Sequence, residues 1–323
     1  MTAPDPLSNS AARWPGLRIA VLIPCYNEAV AIAKVVADFR AALPQARVYV
    51  FDNNSRDDTM AVAAAAGADV RRETQQGKGN VVRRAFADVE ADVYLLVDGD
   101  DTYDASVAPD MVNLLVREHL DMVNGARVTD IAAAYRHGHR LGNRVLTGLV
   151  QIVFGDRISD MLSGYRVFSR RFVKSFPSLA SGFETETEFT VHALDLRMPV
   201  GEIATRYKDR PEGSVSKLRT YSDGLRILRT IVILVKEERP LQFFSTVALV
   251  LALLGLLVGI PVIFDYIATG LVPRLPSAVL AATFELLAFL ALASGLILDS
   301  VARGRKEVKR LAYLAVPAIG GGQ

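Results

Sequence analysis

The chain has 323 residues, 51% hydrophobic and 22% charged, with 37 Lys and Arg against 35 Asp and Glu for a formal net charge of +2. That length suits one sizeable α/β domain plus a smaller element. The single cysteine, Cys25, excludes an intrachain disulfide framework and suits a reducing compartment.

Residues 1–16, MTAPDPLSNSAARWPG, have neither the basic start nor the apolar stretch of a secretory signal and are expected to form a flexible arm. A strand is predicted in LRIAVLIPCYNE, and AVAIAKVVADFRAAL follows with helical spacing up to Pro44. ARVYVFDNNSRDDT is predicted as a second strand ending in polar and acidic residues, and MAVAAAAGA as a short helix. DVRRETQQGKGNVVRRAFADV gives a short strand, a glycine-flanked Lys78 and a helix. VYLLVDGDDTYD follows, then a helix near 106–118 and a strand in LDMVNGARV. Strands alternating with helices predict an α/β domain with a doubly wound, mostly parallel sheet. Three strands end in polar motifs, at Asn27 and Glu28, Asp52 to Asp58, and Asp98 to Asp101. Such a sheet brings all three to its carboxyl edge, where open α/β folds bind ligands.

The run VYLLV has no polar alternation, as expected of a strand buried on both faces. Asp98 and Asp100 follow it, with Gly99 between them permitting a tight backbone. Carboxylates this crowded stay ionised cheaply only beside a cation, and a hard divalent ion with oxygen ligands would supply one. The alternative is a solvated acidic turn. Competing nucleotide sites are excluded by pattern. GKGN lacks the first glycine and the following Ser or Thr of a P-loop, and no GxGxxG follows the first strand. The histidines, His119, His137, His139 and His192, form no zinc-binding set with Cys25, which reads as a small packing residue rather than a nucleophile.

Toward the end, residues 243–264 carry no charge and residues 277–298 carry only Glu285. Each is long enough to cross the ~30 Å hydrocarbon core as a helix. The loop DYIATGLVPRLP between them has one Arg, whereas Lys236, Arg239, Arg303, Arg305, Lys306, Lys309 and Arg310 flank the pair. The positive-inside rule then places both flanks, and the N-terminal domain, in the cytoplasm. Glu285 is a functional candidate within the membrane or a helix or subunit contact, with no role in catalysis assigned. Leu218, Tyr221, Leu225, Leu228, Ile231 and Val235 recur at helical spacing among Lys217, Arg219, Arg226, Arg229 and Lys236, as a surface-lying membrane helix requires. HRLGNRVLTGLVQIVFG, with Leu141, Val145, Leu149 and Ile152 along one side, reads the same way. The expected organisation is an arm at 1–16, an α/β domain at 17–215, a juxtamembrane helical segment at 216–241, a two-helix membrane hairpin at 242–300 and a basic tail at 301–323.

IPCYNE, VFDNNSRDDT, GKGNVVRRA and LLVDGDDTYD stand in the order found in inverting family-2 glycosyltransferases of the GT-A fold, which this chain resembles over residues 17–240. DMLSGYRVFSRRFV and RPEGSVSKL make it similar to the polyprenyl-phosphate glycosyltransferases, the group of dolichyl-phosphate mannose synthases and bacterial undecaprenyl-phosphate glucosyltransferases. The resemblance implies metal-dependent transfer of a hexose from a UDP- or GDP-sugar to polyprenyl phosphate, giving a lipid-linked monosaccharide. A processive polysaccharide synthase and a non-catalytic nucleotide-sugar-binding membrane subunit are the alternatives. It implies that Pro24, Tyr26, Asn27, Glu28, Asp57, Gly77, Lys78, Gly79 and Gly99 surround the nucleotide and that Asp52 meets the base. Asn53 and Asn54 depart from the usual second acid after Asp52. Asp98 and Asp100 would hold Mg²⁺ or Mn²⁺, with Asp98 alternatively on the ribose or a metal-bound water. Asp101 would join that shell or face solvent, and Thr102 stands where some relatives have a Gln ligand. An acceptor phosphate is already an anion, so it needs cations to aim it more than a base to activate it. The resemblance assigns that task to Arg127, Arg140 and Arg210, which with Asp100 form the expected catalytic set. Arg144, Ser163, Arg166, Ser214 and Lys217 are further acceptor candidates, and Glu186 or Glu188 would contact sugar hydroxyls. The membrane is an expected partner, nucleic acid is not, and a homo-oligomer is open.

Overall fold

The computed structural model describes residues 14–128, 148, 158–178, 182, 184–211 and 220–319. In chain order the α/β portion runs β1 (Ile19–Cys25), α1 (Ile32–Ala42), β2 (Arg47–Asp52), α2 (Thr59–Ala65), β3 (Asp69–Arg72), α3 (Lys78–Asp88), β4 (Val93–Leu96), a 3-10 turn at Ala105–Val107, α4 (Ala108–Arg117) and β5 (Met122–Val128). It continues with β6 (Arg166–Ser169), α5 (Arg170–Ser175), α6 (Thr185–Asp195) and β7 (Val200–Arg206). The strands form one seven-stranded sheet in the order β3-β2-β1-β4-β6-β5-β7. β1 pairs in parallel with β2 and β4, β2 with β3, and β5 with β7. β6 runs antiparallel between β4 and β5, an exception to the parallel order expected.

Alternation along β1 and β4 sorts their side chains into two cores, since successive residues in a strand face opposite sides. Ile19, Val21, Ile23, Val93, Leu95 and Val97 pack with α1 and α4 through Val35, Val36, Phe39, Met111 and Leu115. Ala20, Leu22, Tyr94 and Leu96 pack on the other face with α3, α5 and α6 through Val82, Phe86, Phe172 and Phe189. Each fully buried Val, Leu, Ile or Phe contributes about 1.5–3 kcal/mol, so the central strands are the best-anchored part of the fold and their carboxyl ends are fixed points. Ser169 links two elements: its Oγ caps α5 by accepting from Phe172 N at 3.1 Å and donates to Asp121 Oδ1 at 2.6 Å.

The described residues divide into two compact units. The first runs to Arg229 and takes in the chain again from Lys309; the second is Thr230–Val308. In the first unit the returning segment is anchored by its own contacts. Tyr313 Oη donates to Asp121 Oδ2 at 2.8 Å, Arg171 Nε donates to the Val316 carbonyl at 2.8 Å, and the Arg171 guanidinium lies 5.3 Å from the Tyr313 ring centroid. Three helices complete the chain: α7 (Thr220–Glu238), α8 (Pro240–Thr269) and α9 (Leu275–Leu314). α8 and α9, of 30 and 40 residues, are each long and apolar enough to cross a membrane. Within the second unit they bury small or slender residues at seven-residue intervals, Ala248, Gly255 and Val262 on α8 and Ala281, Ala288, Gly295 and Ala302 on α9. Such spacing keeps one seam of each helix facing the other. Gly255 is where Glu285 packs, since a Cβ there would sit 2.6 Å from Glu285 Oε1.

Candidate active site at the carboxyl edge of the sheet

The loops after β1, β2 and β4 meet at one edge, as their polar ends suggested. Pro24, near the end of β1, and Tyr26 and Asn27 just beyond it are half-buried and lead into the buried Glu28. Asn27 takes a left-handed backbone, φ 52°, a conformation Asn tolerates better than most residues. Its side-chain oxygen accepts from Arg56 N at 2.8 Å and its own N–H donates to Ser55 Oγ at 2.9 Å, while Glu28 N donates to Thr59 Oγ1 at 2.9 Å. These bonds lock the β1 loop to the β2 loop. Asp57 adds to the same lock by accepting from Ala29 N, Thr59 N and Thr59 Oγ1. Burial opposes its charge, but those donors win and hold its carboxyl below the usual range.

Asp52 is 1% exposed. Its Oδ2 accepts from Ser55 N at 3.1 Å, and its Oδ1 is buried with no hydrogen-bond partner among the described residues. Asn53, where an acid was expected, has a structural reason to be an amide. Its Nδ2 donates to the carbonyls of Glu73 and Gln75 at 3.1 and 2.7 Å, and its Oδ1 accepts from Gly77 N at 2.7 Å. A carboxylate cannot make the two donations. Asn53 thereby fixes the loop that delivers Lys78.

Lys78 opens α3, and its side chain is only 9% exposed. Its Nζ pairs with Asp98 Oδ1 and lies 2.5 Å from Glu186 Oε1 in the first turn of α6. Burial opposes the ammonium charge, but the two facing carboxylates outweigh it and raise its pKa. Glu186 is itself buried, and its Oε2 has no hydrogen-bond partner among the described residues. Glu188, two positions further on, is about 200° around the same helix.

Between the aspartates, a side chain at Gly99 is blocked: a Cβ would sit 2.5 Å from Cys25 Sγ and 3.3 Å from Ile23 Cγ2. Cys25 is therefore a buried packing residue, as the sequence indicated. Gly164 is under the same constraint, because its Cβ would sit 2.3 Å from Asp98 Oδ2. Asp100 is 4% exposed. Its Oδ1 accepts from Thr102 Oγ1 at 2.6 Å, and its Oδ2 lies 2.6 Å from Arg210. Burial, and then the neighbouring Asp98 charge, raise its pKa. Asp101 is instead turned to Lys34 on α1, at 2.9 Å.

Arg127, at the end of β5, is held in a bidentate grip, with Nε 2.7 Å from Asp160 Oδ2 and Nη2 2.8 Å from Oδ1. Its guanidinium also lies 5.5 Å from the Tyr207 ring centroid. Tyr207 contacts Tyr103, whose hydroxyl accepts from Gly164 N at 2.8 Å. Arg127, Asp98 and Asp100 thus share one framework.

Two of the sequence-level candidates are corrected. Ser163 is fully buried and its Oγ donates to the Gly125 carbonyl at 2.5 Å, so its hydroxyl serves the strand rather than an acceptor. Arg166 is also fully buried, donating to the Ser163 and Met161 carbonyls and to Thr190 Oγ1, and burial pushes its pKa down to about 10. Arg140, Arg144, Ser214 and Lys217 lie outside the described residues. Lys78 as a bridge between two carboxylates, the grip of Asp160 on Arg127, the ring of Tyr207 and the closeness of Gly164 to Asp98 were not anticipated. Only the glycine in SGYR hinted at the last.

Asp98 and Asp100 together suit a hard divalent cation that completes its shell with phosphate oxygens and water. Both are oxygen donors two residues apart, and burial and the Asp98 charge, which raise the Asp100 pKa, are effects that a divalent cation would offset. No third His, Cys, Asp or Glu joins them among the described residues.

Residues 20–176 match the family model for Glycosyl transferase family 2. Protein RfbJ of Shigella flexneri is 60% identical over 128 residues, 39% of this chain and 99% of that protein. Glycosyltransferase AglJ of Haloferax volcanii is 33% identical over 255 residues, 78% of this chain and 84% of that protein. A dolichyl-phosphate hexose transferase of Haloferax volcanii is 27% identical over 221 residues, 68% of this chain and 95% of that protein. Among solved structures, a glucosyl-3-phosphoglycerate synthase from Mycobacterium tuberculosis in complex with Mn²⁺, UDP and glucosyl-3-phosphoglycerate superposes with a TM-score of 0.58. That match has 21% identity and covers 73% of this chain and 85% of the other.

Proposed function

The chain belongs to glycosyltransferase family 2, and from that premise we propose that it transfers a hexose, with inversion, from a nucleoside diphosphate sugar to polyprenyl phosphate, with undecaprenyl phosphate as the acceptor. The observation that carries this reading is the pair Asp98 and Asp100 at the sheet edge, each facing a basic side chain, Lys78 and Arg210. Asp98 and Asp100 would hold Mg²⁺ or Mn²⁺, whose chemistry is to neutralise charge on the departing nucleoside diphosphate. The related fold crystallised with Mn²⁺ and UDP supports this assignment.

Each remaining role follows from groups already described. The buried, unpartnered Oδ1 of Asp52 is an acceptor for an N–H of the base. Glu186 Oε2, equally unpartnered, is an acceptor for a sugar hydroxyl, while Lys78 keeps the Glu186 charge compensated. Arg127, gripped by Asp160 and faced by Tyr207, is preorganised to orient an anionic acceptor. An acceptor phosphate arrives ionised, so no residue is needed to remove its proton. A lipid acceptor is supported by the relative named for dolichyl phosphate and by two helices long enough to cross a membrane. The basic residues flanking those helices favour transfer at the cytoplasmic face, as a multi-pass membrane protein.

The test is a screen of radiolabelled UDP- and GDP-sugars with undecaprenyl phosphate and the full chain in detergent. Label should move to the lipid phase with one donor, only with divalent cation present, and not with Asp100→Ala. Transfer undiminished after chelation would refute the assignment of the two aspartates. Absence of any lipid-linked product would refute the acceptor.

A further inference from the structure

We propose that Arg210 is an exchange residue. Its guanidinium neutralises Asp100 while the donor site is empty, and it is released toward the acceptor phosphate only when a divalent cation takes Asp100 over. The proposal rests on assigning Asp98 and Asp100 to a divalent cation.

The two basic groups at the aspartates are held in different ways. Lys78 sits in the first turn of α3, is 9% exposed and lies between two carboxylates. If Asp98 turns to a cation, Lys78 keeps Glu186 and need not move. Arg210 lies beyond β7, and its side chain is 23% exposed. Its backbone is tied two residues earlier, where Lys208 N donates to the Thr102 carbonyl at 2.8 Å. The anchor keeps the residue near the site, while rotation about its side-chain bonds can carry the guanidinium several ångströms.

The Asp100 carboxylate has little capacity to share. Oδ1 is occupied by Thr102 Oγ1 and N, at 2.6 and 3.3 Å, and Oδ2 by Arg210 at 2.6 Å. A divalent ion such as Mg²⁺ needs a carboxylate oxygen at about 2.0–2.1 Å. Placing it on Oδ2 beside a guanidinium at hydrogen-bond distance brings two cations together in a poorly solvated site. The two occupants therefore compete. Once displaced, Arg210 is a cation beside a newly cationic centre, and an anion arriving there relieves the repulsion. The acceptor phosphate is such an anion. Donor loading thus completes the acceptor site, and acceptor binding before the donor is disfavoured.

The experiment measures Mn²⁺ binding to the full chain in detergent, without nucleotide, from the electron paramagnetic resonance of free Mn²⁺. Wild type, Arg210→Ala and Asp100→Ala are compared. The apparent Kd is the intrinsic Kd divided by the fraction of molecules with Asp100 open, so Arg210→Ala should bind Mn²⁺ about fivefold or more tightly than wild type. A gain of affinity does not arise from a damaged fold. Unchanged or weaker binding by Arg210→Ala overturns the exchange. Wild-type affinity in Asp100→Ala overturns the metal assignment itself, so the two failures are distinguishable. A second measurement follows undecaprenyl phosphate binding with and without saturating Mn²⁺. Wild type should gain affinity with Mn²⁺ beyond the gain of Arg210→Ala, which shares any direct contact between Mn²⁺ and the lipid. Equal gains in both proteins overturn the proposal.

Discussion

Gly99→Ala adds one methyl group at the centre of the aspartate loop. The Gly99 backbone is not left-handed, so alanine meets no conformational penalty there, and the effect must come from space. The new Cβ would lie 2.5 Å from Cys25 Sγ, 3.3 Å from Ile23 Cγ2 and 3.5 Å from Ile32 Cδ1. Only the first contact is prohibitive, and Cys25 and Ile23 are both in β1, whose core position leaves little freedom to retreat. Overpacking of this kind costs about 1–3 kcal/mol. For a domain of this size that lowers Tm by roughly 2–12 °C. Cys25→Ala removes the obstructing sulfur, so the double variant should be more stable than the sum of the two single effects by about 1 kcal/mol or more. Thermal unfolding of the four proteins in one detergent, followed by near-ultraviolet circular dichroism, completes the cycle. Strict additivity, or a Gly99→Ala protein as stable as wild type, would show that the loop yields and that the glycine is not required by Cys25.

Lys78→Met leaves Asp98 and Glu186 facing each other without their shared cation, and breaking a buried pair this way costs about 3–5 kcal/mol. Adding Glu186→Gln should recover part of the loss in chemical denaturation; no recovery would argue against the bridge. Because the Lys78 pKa is raised on folding, its contribution is complete below the unfolded lysine value of about 10.4 and fades only as pH climbs through the folded value. His192 behaves oppositely. Burial, helped by the Lys309 charge, pushes its pKa down to about 3, so the native imidazole stays neutral while the unfolded one takes a proton. Stability should fall as pH drops below about 6.5 and continue falling toward 3, by on the order of 3 kcal/mol at pH 4. His192→Gln should flatten that part of the profile, and an unchanged slope would rule His192 out as its cause. Asp160→Asn, which loosens the grip on Arg127, should raise the acceptor KM several-fold with little change in donor KM, whereas Ser163→Ala should alter stability but neither KM.

The parts of this fold that were legible in sequence are those whose stability is local. β1, β2 and β4 are unbroken apolar runs ending in polar turns, and their shared edge followed from the parallel order. β6 was not legible. It has four residues, and its first, Arg166, is an arginine whose burial depends on carbonyls and a hydroxyl contributed by Met161, Ser163 and Thr190. β7 was missed because most of its residues are only partly covered. Asp98 and Asp100 stood out because carboxylates crowded at a strand end are costly without a cation, and Asp52 because it closes the neighbouring strand in a polar motif. Ser163 and Arg166 were misplaced for the converse reason, since a polar motif in a loop looks the same whether its bonds point inward or outward. The pairing of Lys78 with Glu186 was not legible, because Glu186 approaches it from a helix far along the chain.

The return of the chain at Tyr313 has a topological consequence. Residues before Thr230 and after Val308 belong to the same folded unit, closed by the Tyr313–Asp121 and Arg171–Val316 bonds. A folded body cannot straddle a bilayer through a gap in its own chain, so the intervening segment must cross an even number of times. If α8 traverses lipid, α9 must bring the chain back, and parity excludes any arrangement with a lone crossing. Ribosomal synthesis adds a temporal side to this, because Tyr313 and Val316 are made after residues 230–308, so the contacts that close the unit form only once the segment between has been made.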